Sequence, residues 1–425
     1  VRFETIAACI TALPGPVAVV RVSGSGAWAA AQAVSGYWPD EAQAQHVFHT
    51  VYSTQEDGLV TLFAAGHSFT GEESAELSLH GSHPSVVALL ESLYERGVKP
   101  AEPGEFTQRA FVNGRLDLTQ AEAVLDTVNA ATQAQAREAH KMRLGVLYRQ
   151  VSALRDLLVG VLAMVEASTD FGEEVGAVDI SLAVARLYEV RDGIDRLLVT
   201  RQAGHIIRNG LRIAILGKPN AGKSSLLNAL LGRDRAIVTA VPGTTRDTLE
   251  EPVDLGGVPC MLIDTAGLRE TQDEVEAMGV GRSHDAAASA NLVWYVYDAA
   301  VGYHGESPAD AFLIANKADL NPAPSHGLAV SALTGEGLGA LIETISSRLP
   351  EIREHEAVIN RRHAPLLDQA QAAVESVVAT LRSDVPDDLA AVGLQQAIRL
   401  LGEVTGETTP PDVIDRIFHD FCIGK

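Results

Sequence analysis

The sequence predicts a multidomain chain of α/β and all-α parts, with a mostly parallel α/β domain inserted into a helical one. Three observations predict it. Short apolar runs at Arg212–Leu216, Met261–Ile263, Leu292–Val296 and Phe312–Ile314 alternate with turn-rich or helix-forming stretches, the rhythm of βαβ units. Helix-forming sequence flanks that region on both sides, up to about residue 209 and again from about residue 350. The remaining N-terminal segment mixes strand and helix patterns. A length of 425 residues corresponds to about three domains at ~150 residues each. The divisions expected are 1–117, 118–209, 210–349 and 350–425, the second and fourth being two halves of one helical domain.

Within residues 1–117, the β-branched run Val17–Val22 reads as a strand. Ala75–Leu79 alternates apolar and polar residues as a half-buried strand does. From Leu118 the texture becomes Ala-rich and helical. Leu147, Val151, Leu154, Leu158, Val161 and Val165 recur at intervals of four and three, which places them on one helix face. The helical pattern continues over Leu182–Leu198, and Val374, Val377, Val378 and Leu381 share a face in the C-terminal half. A Gly24-x-Gly26-x-x-Ala29 pattern follows the first strand. Only one strand–helix step surrounds it and no acidic residue ends a second strand, so a dinucleotide site is not expected there.

Composition narrows the function classes. Lys plus Arg number 33 and Asp plus Glu 55, a formal charge of −22, so a basic surface is not the main means of holding nucleic acid. Three cysteines, Cys9, Cys260 and Cys422, form no pair with metal-ligand spacing and no disulfide framework. The apolar run Leu157–Val165 is bracketed by Asp156 and Glu166, far short of the ~20 residues of a membrane span. With no signal-peptide layout at the N-terminus, a soluble, cytoplasmic protein is expected.

The sharpest signal is Gly217-Lys-Pro-Asn220-Ala221-Gly222-Lys223-Ser224, which fits G-x-x-x-x-G-K-[ST] and leads into the helix-forming Ser225–Leu231. Glycines let backbone N–H groups turn toward phosphate oxygens, and the helix N-terminus adds partial positive charge. Lys223 is expected at the β and γ phosphates and the Ser224 hydroxyl on Mg²⁺. Asp264-Thr265-Ala266-Gly267 ends the next strand, where Asp264 can hold Mg²⁺ through water and the Gly267 amide can meet the γ-phosphate. Thr245 is the expected switch threonine, reaching Mg²⁺ when the γ-phosphate is present. Asn316-Lys317-Ala318-Asp319 supplies base selection, because a carboxylate accepts from guanine N1–H and N2–H whereas adenine would face it with a lone pair. Discrimination of ~10⁴ is reasonable for such a mismatch. Ser331-Ala332-Leu333 follows the next strand, where a backbone amide would meet guanine O6. GTP is therefore the expected nucleotide.

Leu268 stands where many small GTPases carry the water-orienting Gln, and an apolar side chain cannot orient water. Glu276 is one substitute among several nearby acids. Neither Arg246 nor Arg269 has the pattern of an arginine finger.

Together the motifs resemble the MnmE (TrmE) family of tRNA-modifying GTPases over essentially the whole chain. The resemblance rests on Arg21–Gly24, Ser68–Glu72, Pro103–Thr107, Arg109–Phe111, Leu116–Leu118, Gln120–Glu122, the GTPase motifs and Phe421–Lys425. It implies an N-terminal α+β domain that binds folate and forms a homodimer, a discontinuous helical domain and an inserted GTPase domain. The implied reaction adds an aminomethyl or carboxymethylaminomethyl group at C5 of the tRNA wobble uridine. An FAD-dependent partner of the MnmG family, in a heterotetramer, carries the flavin and much of the tRNA contact.

Residue by residue, the resemblance implies a potassium ion held by Asn220 and by carbonyls of Thr239, Val241 and Thr244. The loop Thr239-Ala240-Val241-Pro242-Gly243-Thr244 would cover the phosphates, with K⁺ in place of an arginine finger. It assigns water orientation to Glu276. Arg21, Glu76, Arg115 and Lys425 align with folate-binding positions, although read from the residues alone they are ordinary surface charges. Arg115 stands where the family commonly has Lys, which keeps charge and changes geometry. Cys422 is the family's tail cysteine, with chemistry and packing both open as roles. Two other readings compete: a GTPase switch that docks on ribosomal RNA, and a folate-dependent methyltransferase-like protein with a regulatory GTPase.

Overall fold

A computed structural model of the chain describes residues 3–170, 177–233, 250–264, 290–305, 307–346, 357–383 and 388–424. The chain divides into two compact units. One comprises Val1–Leu125, Met142–Val190 and Gln369–Lys425; the other comprises Asp126–Lys141 and Arg191–Asp368.

The first unit contains a sheet in the order β3-β4-β5-β2-β1-β6. Its strands are β1 (Ile6–Cys9), β2 (Gly15–Ser23), β3 (Val47–Val51), β4 (Asp57–Phe63), β5 (Ser74–Gly81) and β6 (Lys99–Pro100). Strand periodicity sorts β2 into two faces: Ala18, Val20 and Val22 are buried, while Val17, Val19 and Arg21 point the other way. Helices α1 (Ala27–Val34) and α2 (His83–Tyr94) lie on the first face, and Val20, Leu77, Leu79, Leu89 and Leu93 share one core. Each such aliphatic side chain contributes about 1.5–3 kcal/mol on full burial. α2 starts where Ser82 accepts from the Ser85 N–H at 3.2 Å, an N-cap reinforced by a proline in the first turn.

β2 pairs antiparallel with both β1 and β5. The glycine pattern at Gly24 and Gly26 is therefore not in a βαβ unit, and the Glu73 carboxylate accepts from the Trp28 amide at the α1 N-terminus (3.1 Å). Helices α3 (Glu105–Val112) and α4 (Leu118–Asn129) follow the sheet in the chain; α5 (Gln133–Arg143) comes next in sequence and belongs mostly to the second unit.

The predicted apolar stripe lies on α6 (Val146–Asp170), where all six of its residues are buried. α6 packs along α12 (Asp388–Thr405), while α7 (Ile180–Val199) covers the predicted 182–198 segment. On α11 (His363–Leu381), Val374, Val377, Val378 and Leu381 are buried as their spacing predicts. The last helix, α13 (Pro411–His419), delivers Phe418 and Phe421 into a cluster with Leu118 and Ala121.

The second unit is built on a sheet ordered β12-β11-β10-β7-β9-β8. Helix α8 (Arg201–Asn209) leads into β7 (Leu211–Leu216), and α9 (Lys223–Arg233) follows it. The other strands are β8 (Glu250–Leu255), β9 (Val258–Asp264), β10 (Leu292–Asp298), β11 (Phe312–Asn316) and β12 (Leu328–Ala329), with α10 (Leu338–Ser346) after them. All neighbours are parallel except β8, which pairs antiparallel with β9. Ile213, Ile215, Leu226, Leu230, Trp294 and Ile314 lie in its core. The four predicted runs are its four central strands. β8 escapes sequence reading because Glu250-Glu-Pro252 lacks an apolar run, a composition suited to a sheet edge.

Candidate functional site

β7 lies between β9 and β10, so the loop after it opens at the C-terminal edge of the parallel strands, where open α/β sheets bind ligands. Two glycines are required here. Gly217 has φ +147°, and a Cβ on it would fall 2.0 Å from the Val296 carbonyl oxygen on β10. Gly222 has φ +87°, and its Cβ would fall 2.2 Å from Asn316 Nδ2. Asn220, at φ +62°, occupies the left-handed region that Asn tolerates, and its side chain is exposed.

Lys223 begins α9, and its Nζ donates to the carbonyls of Gly217 (2.7 Å) and Lys218 (2.9 Å). The ammonium is thereby held along the loop next to the helix N-terminus, two sources of positive charge in one place. Ser224 and Ser225 are exposed in the first turn of that helix.

Asn316, 1% exposed, joins three of the predicted motifs. Its Nδ2 donates to Ala221 O (3.0 Å) and Gly222 O (3.3 Å), and its Oδ1 accepts from the Ala332 amide (3.1 Å). Lys317 follows at φ +63°, and Ala318 is buried, with its amide on Val330 O. Asp319 is exposed, and the buried Ser331 hydroxyl donates to its Oδ1 at 2.6 Å, which orients the carboxylate. Leu333 is 86% exposed. Asp264 ends β9 opposite Ile215 of β7. Thr239, Ala240, Val241, Pro242, Gly243, Thr244, Thr245, Thr265, Ala266, Gly267, Glu276 and Lys425 lie outside the described residues.

One acid that the sequence did not single out is part of this site. Asp298 ends β10 opposite Asn316 of β11, and its Oδ2 accepts from Lys317 Nζ at 2.7 Å. The bond from Lys317, aided by the Ala300 and Val301 amides, outweighs partial burial and holds the carboxyl below its ordinary range. Its signal in the sequence was positional: like Asp264, it is an acid at the C-terminal end of a parallel strand.

A second polar arrangement lies on the sheet of the first unit. Arg21 and Glu76 are cross-strand partners, and Arg21 donates from Nε (3.0 Å) and Nη2 (2.8 Å) to the same Glu76 oxygen, Oε1. Among the described residues no hydrogen bond reaches Oε2. The guanidinium also lies over the rings of Phe69 (4.9 Å) and Phe106 (5.5 Å). With side chains 15% and 26% exposed, the pair is not made of ordinary surface charges. A carboxylate with one open oxygen, beside aromatic rings and a cation, suits a flat heterocycle bearing N–H donors. Arg115 is exposed and packs against the turn at Gly71; no described contact joins it to the Arg21–Glu76 pair. Cys422 is exposed, its carbonyl accepting from the Gly104 amide at 3.4 Å, and Gly424 sits against Cys9 and Ile10.

At the end of β2, two residues beyond Arg21, is a largely buried network that also escaped sequence reading. Arg109, 2% exposed, pairs with Glu72 (3.0 Å) and Glu105 (2.6 Å), while Ser23 donates to Glu72 Oε2 at 2.9 Å. It links the Ser68–Glu72 and Pro103–Thr107 motifs. Among the described residues no group of three His, Cys, Asp or Glu could hold a metal ion, and no helix is long and apolar enough to cross a membrane.

Comparison with known proteins agrees with these motifs. A family model described as "MnmE helical domain" matches residues 118–422, and one described as "GTP-binding protein TrmE N-terminus" matches residues 5–115. The chain is 42% identical over 400 residues to the tRNA modification GTPase MnmE of Moorella thermoacetica, covering 87% of this chain and 86% of that one. It is 40% identical to the protein of that name from Synechococcus sp. (strain WH7803), over 99% of this chain and 98% of the relative. Identity to the Akkermansia muciniphila protein of that name is 41%, over 99% of each chain.

Proposed function

Because this chain belongs to the MnmE (TrmE) family of tRNA modification GTPases, we propose that it couples GTP hydrolysis to modification of the tRNA wobble uridine. The chain is a GTP hydrolase, forming GDP and phosphate. The observation that carries the nucleotide reading is Asn316, whose one buried amide ties the phosphate loop to the base motif and the Ser331-Ala332 turn.

In the proposed mechanism, loop amides and Lys223 bind the β and γ phosphates, while the Ser224 hydroxyl and Thr245 would hold Mg²⁺, with Asp264 acting through water. When bound, Mg²⁺ would neutralise phosphate charge and K⁺ would add the positive charge that an arginine finger supplies elsewhere. Asn220, already turned into the left-handed region with its side chain exposed, offers an oxygen to K⁺ together with carbonyls of Thr239, Val241 and Thr244. Glu276 orients the attacking water. Asp319, oriented by Ser331, accepts from guanine N1–H and N2–H, and the turn at Ala332 meets O6.

The N-terminal part, 1–117, would hold a tetrahydrofolate derivative, with the Glu76 carboxylate, fixed by Arg21, accepting from pterin N–H groups. Arg115 and Lys425 would hold the acidic tail of the folate, and the exposed Cys422 thiol is available for chemistry beside that tail or for packing. Residues 118–209 and 350–425 form the helical domain, and 210–349 the GTPase domain. The chain works in the cytoplasm as a homodimer, with an FAD-dependent partner that holds most of the tRNA; the −22 formal charge favours tRNA contact through that partner. It also speaks against an RNA-docking switch. The test is nucleoside mass analysis of tRNA from a strain lacking this chain. Loss of the C5 modification, restored by the wild-type chain and not by Lys223→Ala, is expected; unchanged wobble-uridine mass would overturn the proposal.

A further inference from the structure

We propose that Asp298 is a positioning residue for guanine recognition, acting through Lys317. The inference rests on the reading of Asn316–Asp319 as the guanine motif and adds a residue from a different strand to it. Asp298 uses both carboxylate oxygens: Oδ1 accepts from the Ala300 amide at 2.9 Å and Oδ2 from Lys317 Nζ at 2.7 Å. The Ala299 amide donates to Asn316 O at 2.8 Å, so the turn after β10 is fastened to the motif through backbone as well as side chain.

Lys317 has a left-handed backbone, φ +63°, between the buried Asn316 and the exposed Asp319. The Asn316 amide reaches the phosphate loop, and the Lys317 stem runs to Asp298, its ammonium 2.7 Å from Oδ2. A base held edge-on by Asp319 leaves its ring faces uncovered, and the four-carbon stem of a neighbouring lysine is long enough to cover one. An unrestrained lysine loses much rotamer freedom when it takes up such a post. Pinned at its ammonium by Asp298, the stem is ordered before the nucleotide arrives, and binding loses less entropy. The ion pair also keeps the positive charge at a fixed point, with side chains 35% and 20% exposed. The lowered carboxyl pKa of Asp298 agrees with a pair that stays ionised at neutral pH.

The experiment is a double-mutant cycle on the full chain: Asp298→Asn, Lys317→Met and both together, read by GDP affinity and by steady-state GTP hydrolysis. Asn keeps an oxygen for the Ala300 amide, so the turn is retained while the charge is removed. Asp298→Asn is expected to weaken GDP binding about tenfold, with the loss on KM rather than kcat. In the Lys317→Met background the same substitution is expected to change affinity less than twofold. An equal tenfold loss in both backgrounds, or no loss in either, would overturn the proposal. Asp319→Asn serves as the control for the underlying reading. If it does not shift preference from guanine to xanthine nucleotides, the guanine motif itself is wrong, whatever the cycle shows.

Discussion

Replacing Asn316 isolates the contact on which the nucleotide site depends. The side chain is 1% exposed and spends its amide on three backbone groups: Ala221 O at 3.0 Å, Gly222 O at 3.3 Å and Ala332 N at 3.1 Å. The first two share one nitrogen, so together they count as about one good bond, and the Ala332 contact as a second. At ~1 kcal/mol per bond, plus the cost of leaving buried backbone groups unpaired, Asn316→Ala loses about 2–3 kcal/mol. If the loosened phosphate loop bears that loss, GDP and GTP bind ~30- to 150-fold more weakly. Asn316→Asp is worse despite its equal shape, because a carboxylate oxygen then faces the Ala221 carbonyl where an N–H stood. Titration with a fluorescent GDP analogue, beside thermal unfolding of each variant, measures both shares of the loss. Affinities within threefold of wild type together with unchanged melting would refute the reasoning, since the three contacts would then contribute to neither binding nor stability.

Three further outcomes follow from the geometry. Arg109→Met removes a cation 2% exposed and leaves Glu72 and Glu105, 14% and 20% exposed, unpaired, a loss of about 3 kcal/mol, so the urea midpoint should fall by about 1 M; an unchanged midpoint would mean the network is not formed. Burial, aided by Asp254, pushes the Cys260 thiol up to about 12, so at pH 8 it stays protonated and unreactive. Iodoacetamide should then label the exposed Cys422 in the native protein, and Cys260 only after unfolding or as the pH approaches 12. Asp319→Asn should lower GTP affinity by ~100-fold or more and raise that for xanthosine triphosphate, as competition binding would show.

The parts legible in the sequence were those whose signal is local. The α6 stripe could be read from spacing, and the phosphate loop from a motif with a strand before it and a helix after it. Interactions joining distant positions could not be read. Arg21 and Glu76 are 55 residues apart, yet the β2–β5 register makes them an ion pair, so two positions read singly are one electrostatic unit. Arg109 and Glu72 were visible only as members of separate motifs, because α3 and the turn before β5 meet only in the folded sheet. Asp298 gave no motif at all; its role comes from lying opposite Asn316 on the next strand. β8 was missed because an edge strand with Glu and Pro has no apolar signature.

GTP hydrolysis in KCl against NaCl, at equal ionic strength and with Asn220→Gly beside wild type, tests the proposed cation-assisted mechanism most directly. Glycine keeps the left-handed turn at this position and removes only the side-chain oxygen. Hydrolysis is predicted to be much faster in KCl for the wild type, and slow in both salts for the variant although it still binds GDP. Equal rates for the wild type in the two salts, or a potassium preference that survives in Asn220→Gly, would contradict it.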